Sequence, residues 1–215
     1  MGEPKHPYLL SKLYDPQKLG QSHKAIVAGI PPGSSVLDVG CATGFLAGVL
    51  AETLSCEVTG VELNAQAAEK AREHCKRVII GDIASPEMWA EISERYDVLV
   101  FADILEHLAD PSAVLRQAHD WLAIGGQVII SLPNVAYHKV RLGLLCGKFE
   151  YTAYGVLDDS HLRFFTRASA RRLIESCGYR IVWQQPVFTT KLRDIVGGWL
   201  MPNLCAWQFV FHCAE

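Results

Sequence analysis

From Ser35 onward the chain alternates short apolar runs with helical patterns, and no other feature constrains its fold as strongly. The runs Val36–Val39, Glu57–Val61, Arg77–Ile80, Tyr96–Phe101 and Gln127–Ser131 read as strands. Near-continuous apolar strands alternating with helices call for a parallel sheet covered on both faces. The helices carry their own boundaries. Asn64 can cap a helix bearing Ala67, Ala68, Ala71 and Cys75. Asp110-Pro111 offers an N-cap and a first-turn proline ahead of Val114, Leu115, Ala118, Trp121 and Leu122, with Gly125-Gly126 as the expected stop.

After Pro133 the rhythm breaks. Residues 134–165 form a longer excursion, with a helical stretch near Val140–Leu145 and then a loop rich in aromatic, Asp and Arg residues. Thr166 then caps a helix with Leu173, Ile174 and Cys177 on one side and Gly178 closing it. Tyr179–Val187 and Cys205–Cys213 complete seven strands as an antiparallel hairpin at the sheet edge. The excursion follows the carboxyl end of a strand, where open α/β sheets bind ligands.

Composition narrows the class. At about 150 residues per domain, 215 residues favour one domain. Half the residues are hydrophobic and a fifth charged, which excludes a disordered linker. The net charge of −3 argues against nucleic acid as a partner. The charge is uneven: residues 36–132 carry 6 positive and 15 negative side chains, whereas residues 135–193 carry 10 and 4. A basic later segment fits either a region tuned to anions or a solvated surface. Seven scattered cysteines, odd in number and without ligand spacing, fit reduced thiols in a cytoplasmic protein. No signal peptide is visible, and the uncharged stretch from Ile195 to Ala214 reads as a loop and a buried strand. No membrane span is expected.

Val36 to Leu46 spells a strand, a tight turn and a helix start. Gly40 and Gly44, with the small Ala42, let the backbone approach a ligand at the helix N-terminus. The dinucleotide pattern needs a small residue where Phe45 stands, and no GK[ST] phosphate loop exists. The next strand ends in Glu62, whose carboxylate can accept both hydroxyls of a ribose. The third ends in Gly81-Asp82-Ile83, where Asp82 can accept from an adenine amine while Leu63 and Ile83 face the ring. Two acceptors on successive strand tips after a glycine loop describe an adenosine site.

At these residues the chain resembles the class I S-adenosylmethionine-dependent methyltransferases. The likeness runs from Ser22 to Gly178 through Asp38-x-Gly40-x-Ala42-x-Gly44, Glu62, Gly81-Asp82-Ile83, Tyr96-Asp97-Val98, Asp103-x-x-Glu106-His107 and Gly125-Gly126. It implies a Rossmann-like α/β fold with S-adenosylmethionine as cofactor. It places Asp38 and Gly40, Cys41, Ala42 and Gly44 near the methionine moiety, Glu62 and Leu63 near the ribose and adenine, Asp82 and Ile83 on the adenine, and Ala102 and Asp103 on the methionine side. Ala42 stands where the family commonly has a middle glycine, and Ala123-Ile124 where Lys/Arg-Pro is common. A narrower likeness, in Pro133-Asn134-Val135-Ala136, Arg141-Leu142 and Leu157-Asp158-x-x-His161-Leu162-Arg163-Phe164-Phe165-Thr166, points to a bacterial subgroup linked to glycan and secondary-metabolite pathways. The expected layout is a single domain, 1–215, with a cover segment (1–34) and an acceptor-side insertion (134–165).

Methyl transfer needs in-line alignment, exclusion of water and, for a hydroxyl acceptor, a base. His161, between Asp158-Asp159 and Arg163, suits a base near neutral pH or a loop-stabilising role, and His107 is the alternative base. His23 and Tyr14 belong to a segment expected to fold over the site, and Arg141 and Arg163 suit an anionic acceptor or surface pairing. Asp103, Glu106 and His107 share a helical face that could hold a divalent cation, and a similar cluster occurs in ubiquinone-pathway O-methyltransferases. The expectation is that Asp103 touches cofactor, Glu106 pairs locally and no metal binds. The leading reading is O-methylation of a small, anionic acceptor such as a sugar or secondary-metabolite intermediate, with a homodimer as the candidate assembly. N-methylation of an amino sugar and a non-catalytic partner subunit are the alternatives.

Overall fold

The computed structural model describes residues 19–188 and 201–215. Strands β1 (Ser35–Val39), β2 (Glu57–Glu62), β3 (Arg77–Ile80), β4 (Tyr96–Ala102), β5 (Leu122–Pro133), β6 (Arg180–Val187) and β7 (Gln208–Ala214) form one sheet. Their order is β3-β2-β1-β4-β5-β7-β6. The first five pair in parallel, and β7 runs antiparallel between β5 and β6. The chain thus builds outward from β1 to β3, then returns to place β4 on the other side of β1. The carboxyl ends of β1 and β4 flank that switch in direction, the place where open α/β sheets take ligands.

Helices α1 (Gln21–Val27), α2 (Phe45–Leu54) and α3 (Ala65–Ala71) cover one face. Helices α4 (Pro86–Trp89), α5 (Pro111–Trp121) and, beyond α6 (His138–Leu145), α7 (Arg167–Ser176) include those covering the other: α4, α5 and α7. Period-2 alternation feeds both cores. Leu37, Val39, Leu99 and Phe101 point to the α5 side, and Val36, Val98 and Val100 to the α1 side. The capping residues act as their chemistry dictates. Asn64 Oδ1 accepts from the Gln66 and Ala67 amides, Asp110 Oδ1 from Ser112 and Ala113, and Thr166 closes a capping box with Ser169.

Helix α3 ends at Ala71, short of Cys75, and two further boundaries differ from expectation. Helix α5 ends at Trp121, and Leu122 already pairs with Tyr96 in β5, so Gly125-Gly126 do not stop the helix. They lie at an irregularity where the register shifts between Tyr96 and Val98, and Gly125 takes φ +77° there. Strand β7 begins at Gln208 instead of Cys205, because Pro202–Cys205 forms a helical turn first. Tyr14 and most of the stretch from Ile195 to Met201 lie outside the described residues. Among the described residues no helix is long and apolar enough to cross a membrane.

Candidate functional site

The carboxyl end of β1 runs straight into the glycine loop. The Gly40 and Cys41 amides donate to Val61 O at 2.8 and 3.1 Å, which folds the loop against β2. Gly40 (φ +78°) and Gly44 (φ +79°) occupy left-handed backbone, and a Cβ on either would come within 2.9 Å of Ile104 Cδ1 or Ala71 Cα. At Gly44 the obstacle is backbone and at Gly40 it is the end of the Ile104 side chain, while the left-handed backbone strains any side chain at either position. Ala42 is left-handed too, at φ +49°, without glycine's freedom.

Glu62 fastens this loop to the tip of β2. Its Oε2 accepts the Ala42 amide at 2.9 Å and its Oε1 the Asn64 amide at 2.8 Å. Each oxygen thereby keeps acceptor capacity for a further donor. Asp38, one strand inward, is 2% exposed, and burial together with the neighbouring Glu62 charge pushes its carboxyl up to about 7. A hydrogen bond with Cys75 and burial hold the Cys41 thiol in its neutral form.

At the β3 tip Asp82 is exposed, and its Oδ1 accepts the Ala84 amide at 2.9 Å. Leu63 stands 67% exposed beside it. Ile83 departs from the expected placement: its side chain packs into the core, and its carbonyl accepts Trp89 Nε1–H at 2.7 Å. An isoleucine beside Met88 loses more by facing water than by filling the core. Its main chain, and not its side chain, is what the β3 tip presents.

Asp103 follows partly buried Ala102 at the end of β4, in left-handed backbone at φ +53°. Ser131 Oγ donates to Asp103 Oδ1 at 2.8 Å, and Gln208 Nε2 donates to the same oxygen. Sequence reasoning missed Ser131 and Gln208. Each is a polar residue 1% exposed at a strand end, a pattern that signals a buried partner without saying which. His23 sets its ring edge-on to Phe45 at 5.4 Å. Burial lowers its pKa and the Asp103 charge opposes that, so His23 lies between the start of α2 and the end of β4.

The excursion leaves and rejoins the sheet at one point, where the Val135 amide donates to Phe165 O at 2.8 Å. Its far end is clipped onto the short 3-10 turn Leu105–His107: the Leu162 and Arg163 amides both donate to Glu106 O at 2.9 Å. Two histidines meet there with ring centroids 4.8 Å apart. His107 Nδ1–H donates to Ser160 O at 3.2 Å and His161 Nδ1–H to Val156 O at 3.3 Å. His107 is partly exposed, whereas His161 is 9% exposed, with Nε2 3.9 Å from Glu106 Oε1. Burial, then the nearby His107, lowers the His161 pKa.

Asp103, Glu106 and His107 therefore do not share a helical face, and Glu106, expected to pair locally, has no hydrogen-bond partner for its carboxyl oxygens among the described residues. Asp103 turns to Ser131 and Gln208, while Glu106, His107 and His161 bring one ligand-type atom each within 4.8 Å of one another. Arg141 spends its Nε–H on Ala136 O at 2.6 Å, and Arg163 gives Nε–H and Nη2–H to Ala109 O at 3.1 and 2.5 Å. Both guanidinium groups keep further donors.

A family profile described as "Methyltransferase domain" matches residues 12–184. The ubiquinone biosynthesis O-methyltransferase of Pseudomonas paraeruginosa is 34% identical over 106 residues, covering 47% of this chain and 45% of that protein. The chain thus matches under half the length of that curated relative. The fold resembles a SAM-dependent methyltransferase from Archaeoglobus fulgidus, with TM-score 0.69 and 13% identity over 94% of this chain and 95% of that one. It also resembles a magnesium protoporphyrin IX methyltransferase from Synechocystis, solved with bound SAH, with TM-score 0.64 and 18% identity over 90% and 81%.

Proposed function

Because the chain belongs to the methyltransferase-domain family, we propose that it methylates an oxygen of a small, anionic acceptor, a sugar or secondary-metabolite intermediate, using S-adenosylmethionine. The observation that carries this reading is the pinned glycine loop at the strand switch, with Glu62 holding acceptor capacity beside it. A loop without Cβ atoms at Gly40 and Gly44, a carboxylate for a ribose diol and a second one at Asp82 for an amine fit an adenosine-bearing cofactor. When bound, that cofactor supplies the reactive methyl group.

In this reading Asp38, Gly40, Cys41, Ala42 and Gly44 border the methionine moiety, Glu62 takes the ribose hydroxyls, and Leu63, Asp82 and the Ile83 main chain meet the adenine. Ala102 and Asp103 border the methionine from β4, and Ser131 and Gln208 fix the Asp103 carboxylate. Residues 134–165 form the acceptor side of a single domain, with the segment before Ser35 as cover. Arg141 and Arg163 offer their remaining donors to an anionic acceptor. A histidine pair beside the excursion favours a hydroxyl acceptor, since an unprotonated amine needs only positioning. Methyl transfer itself asks for no metal.

Isothermal calorimetry with S-adenosylhomocysteine tests the reading. Binding by the whole chain, lost in Glu62→Ala, is expected; no detectable binding to the wild-type protein would overturn it.

A further inference from the structure

We infer that Glu106 is kept as a neutral carboxylic acid that donates its proton to His161 Nε2, and so acts as the positioning residue behind His107. This assignment deepens the reading above and rests on it for the link to acceptor chemistry, but its first test needs no acceptor.

The Glu106 side chain is 1% exposed, and neither of its carboxyl oxygens has a hydrogen-bond partner among the described residues. An ionised carboxylate left that way forfeits its hydration with nothing in exchange, a large share of a protein's marginal stability. Its main chain is not at fault, because the Glu106 carbonyl accepts two amides from the excursion. The side chain is therefore held in place by its own backbone, against a tight niche lined with Pro133, Val135, Val156 and Phe165 that has no room for water.

The proton has one place to go. A carbonyl can only accept, so the bond to Val156 O fixes the hydrogen of neutral His161 on Nδ1 and leaves a lone pair on Nε2. Nε2 lies 3.9 Å from Glu106 Oε1, and the inferred bond closes that gap. A carboxylic O–H satisfies Nε2; a carboxylate would need His161 as the imidazolium. The surrounding charges decide between the two. Asp103 from the end of β4 and Asp158 from the excursion oppose a negative Glu106, and burial raises its carboxyl well above the ordinary range. Burial and His107 oppose a positive His161, with Asp158 and Asp103 acting the other way. Arg163 lines the cavity, but its guanidinium is turned to Ala109 O. In a dry site the neutral pair avoids the desolvation of two charges.

The consequence is a division of labour. His161 has Nδ1 on Val156 and Nε2 on Glu106, so it has no free nitrogen for an acceptor. His107 packs edge-on against it, is partly exposed, and has Nδ1 on Ser160 O with Nε2 remaining. His107 is then the base, and Glu106 acts through the His161 ring that braces it.

Nuclear magnetic resonance on the full chain, with 13C-glutamate and 15N-histidine labels, tests this. The Glu106 Cδ resonance is expected in its protonated position at pH 7, with His161 in the Nδ1–H tautomer and not titrating between about pH 5 and 8. Glu106→Gln, whose amide can still donate, should keep the 15N shift of a hydrogen-bonded Nε2, whereas Glu106→Leu should move that shift toward an unbonded nitrogen while Val156 O keeps the hydrogen on Nδ1. An ionised Glu106 at pH 7, or an unchanged His161 in Glu106→Leu, would overturn the assignment. So would uptake of one equivalent of added Zn²⁺ by wild type that is abolished in Glu106→Gln, since a cation would then replace the proton. Calorimetry with S-adenosylhomocysteine fails only if the cofactor reading fails, which keeps the two tests separate.

Discussion

Gln208 Nε2 donates to Asp103 Oδ1 across 105 positions of sequence, so the first residue of the last strand holds the carboxylate at the end of the fourth. Ser131 Oγ donates to the same oxygen from β5, between them in the sheet. A hydrogen bond to a charged acceptor contributes about 1.5–3 kcal/mol. Gln208→Ala should therefore cost about that much stability in urea denaturation. Because both donors share one oxygen, the Ser131→Ala/Gln208→Ala double variant should depart from the sum of the singles. Strict additivity would show that the two donors work independently.

Ala42 is the loop position where the backbone conflicts with the residue. Left-handed backbone costs a non-glycine residue roughly 1–2 kcal/mol, and glycine's freedom in the unfolded chain takes back about 0.4–1. Its φ of +49° is thus a reservoir of strain. Ala42→Gly should stabilise the fold by up to about 1.5 kcal/mol, read as a higher melting temperature. A lower melting temperature would mean that the alanine methyl makes contacts outweighing the strain.

Asp38 gives a pH dependence with a definite sign. Its carboxyl rises from 3.8 when unfolded to about 7 in the fold, chiefly by burial and then by Glu62. The folded state holds the proton more tightly, so this contribution is fully present below pH 3.8 and is lost as pH climbs to about 7. The loss is on the order of 4 kcal/mol at 1.36 kcal/mol per unit. Asp38→Asn should flatten the stability profile in that window, and Glu62→Gln should narrow it from the upper end. An unchanged slope in Asp38→Asn would assign the pH dependence to other groups.

The histidine pair should affect turnover and spare cofactor affinity. His107→Ala and His161→Ala should each keep S-adenosylhomocysteine affinity within about threefold, under ~0.7 kcal/mol. Once an acceptor is in hand, kcat should fall by roughly 10²–10⁴ where the base is removed. The wild-type rate should rise with pH as the base loses its proton, a limb missing from the base variant. Normal kcat in both variants would leave the pair a role only in packing the excursion.

Local chemistry made much of the molecule legible in advance. The caps at Asn64, Asp110 and Thr166 depend on side chains bonding amides two or three residues away, and such contacts are written in the sequence itself. Helical spacing picked out the buried face of α5 at Val114, Leu115, Ala118 and Trp121, because helix geometry repeats regardless of neighbours. The glycine loop and the two strand-tip carboxylates were visible for the same reason: each needs only its own strand and turn.

What the chain brings together from afar was decided by the sheet. Strand order places β7 beside β5, and only that neighbour relation lets Gln208 reach toward the carboxyl end of β4. Helical spacing put Asp103, Glu106 and His107 on one face, yet left-handed backbone at Asp103 and a single 3-10 turn after it sent Asp103 to Ser131 and Glu106 to His161. Gly125-Gly126 looked like a helix stop because glycine ends helices, but pairing of Leu122 with Tyr96 claimed the chain first. Spacing along the sequence determines short-range partners. Long-range ones depend on which backbone hydrogen bonds and buried surfaces the assembled sheet can satisfy at once.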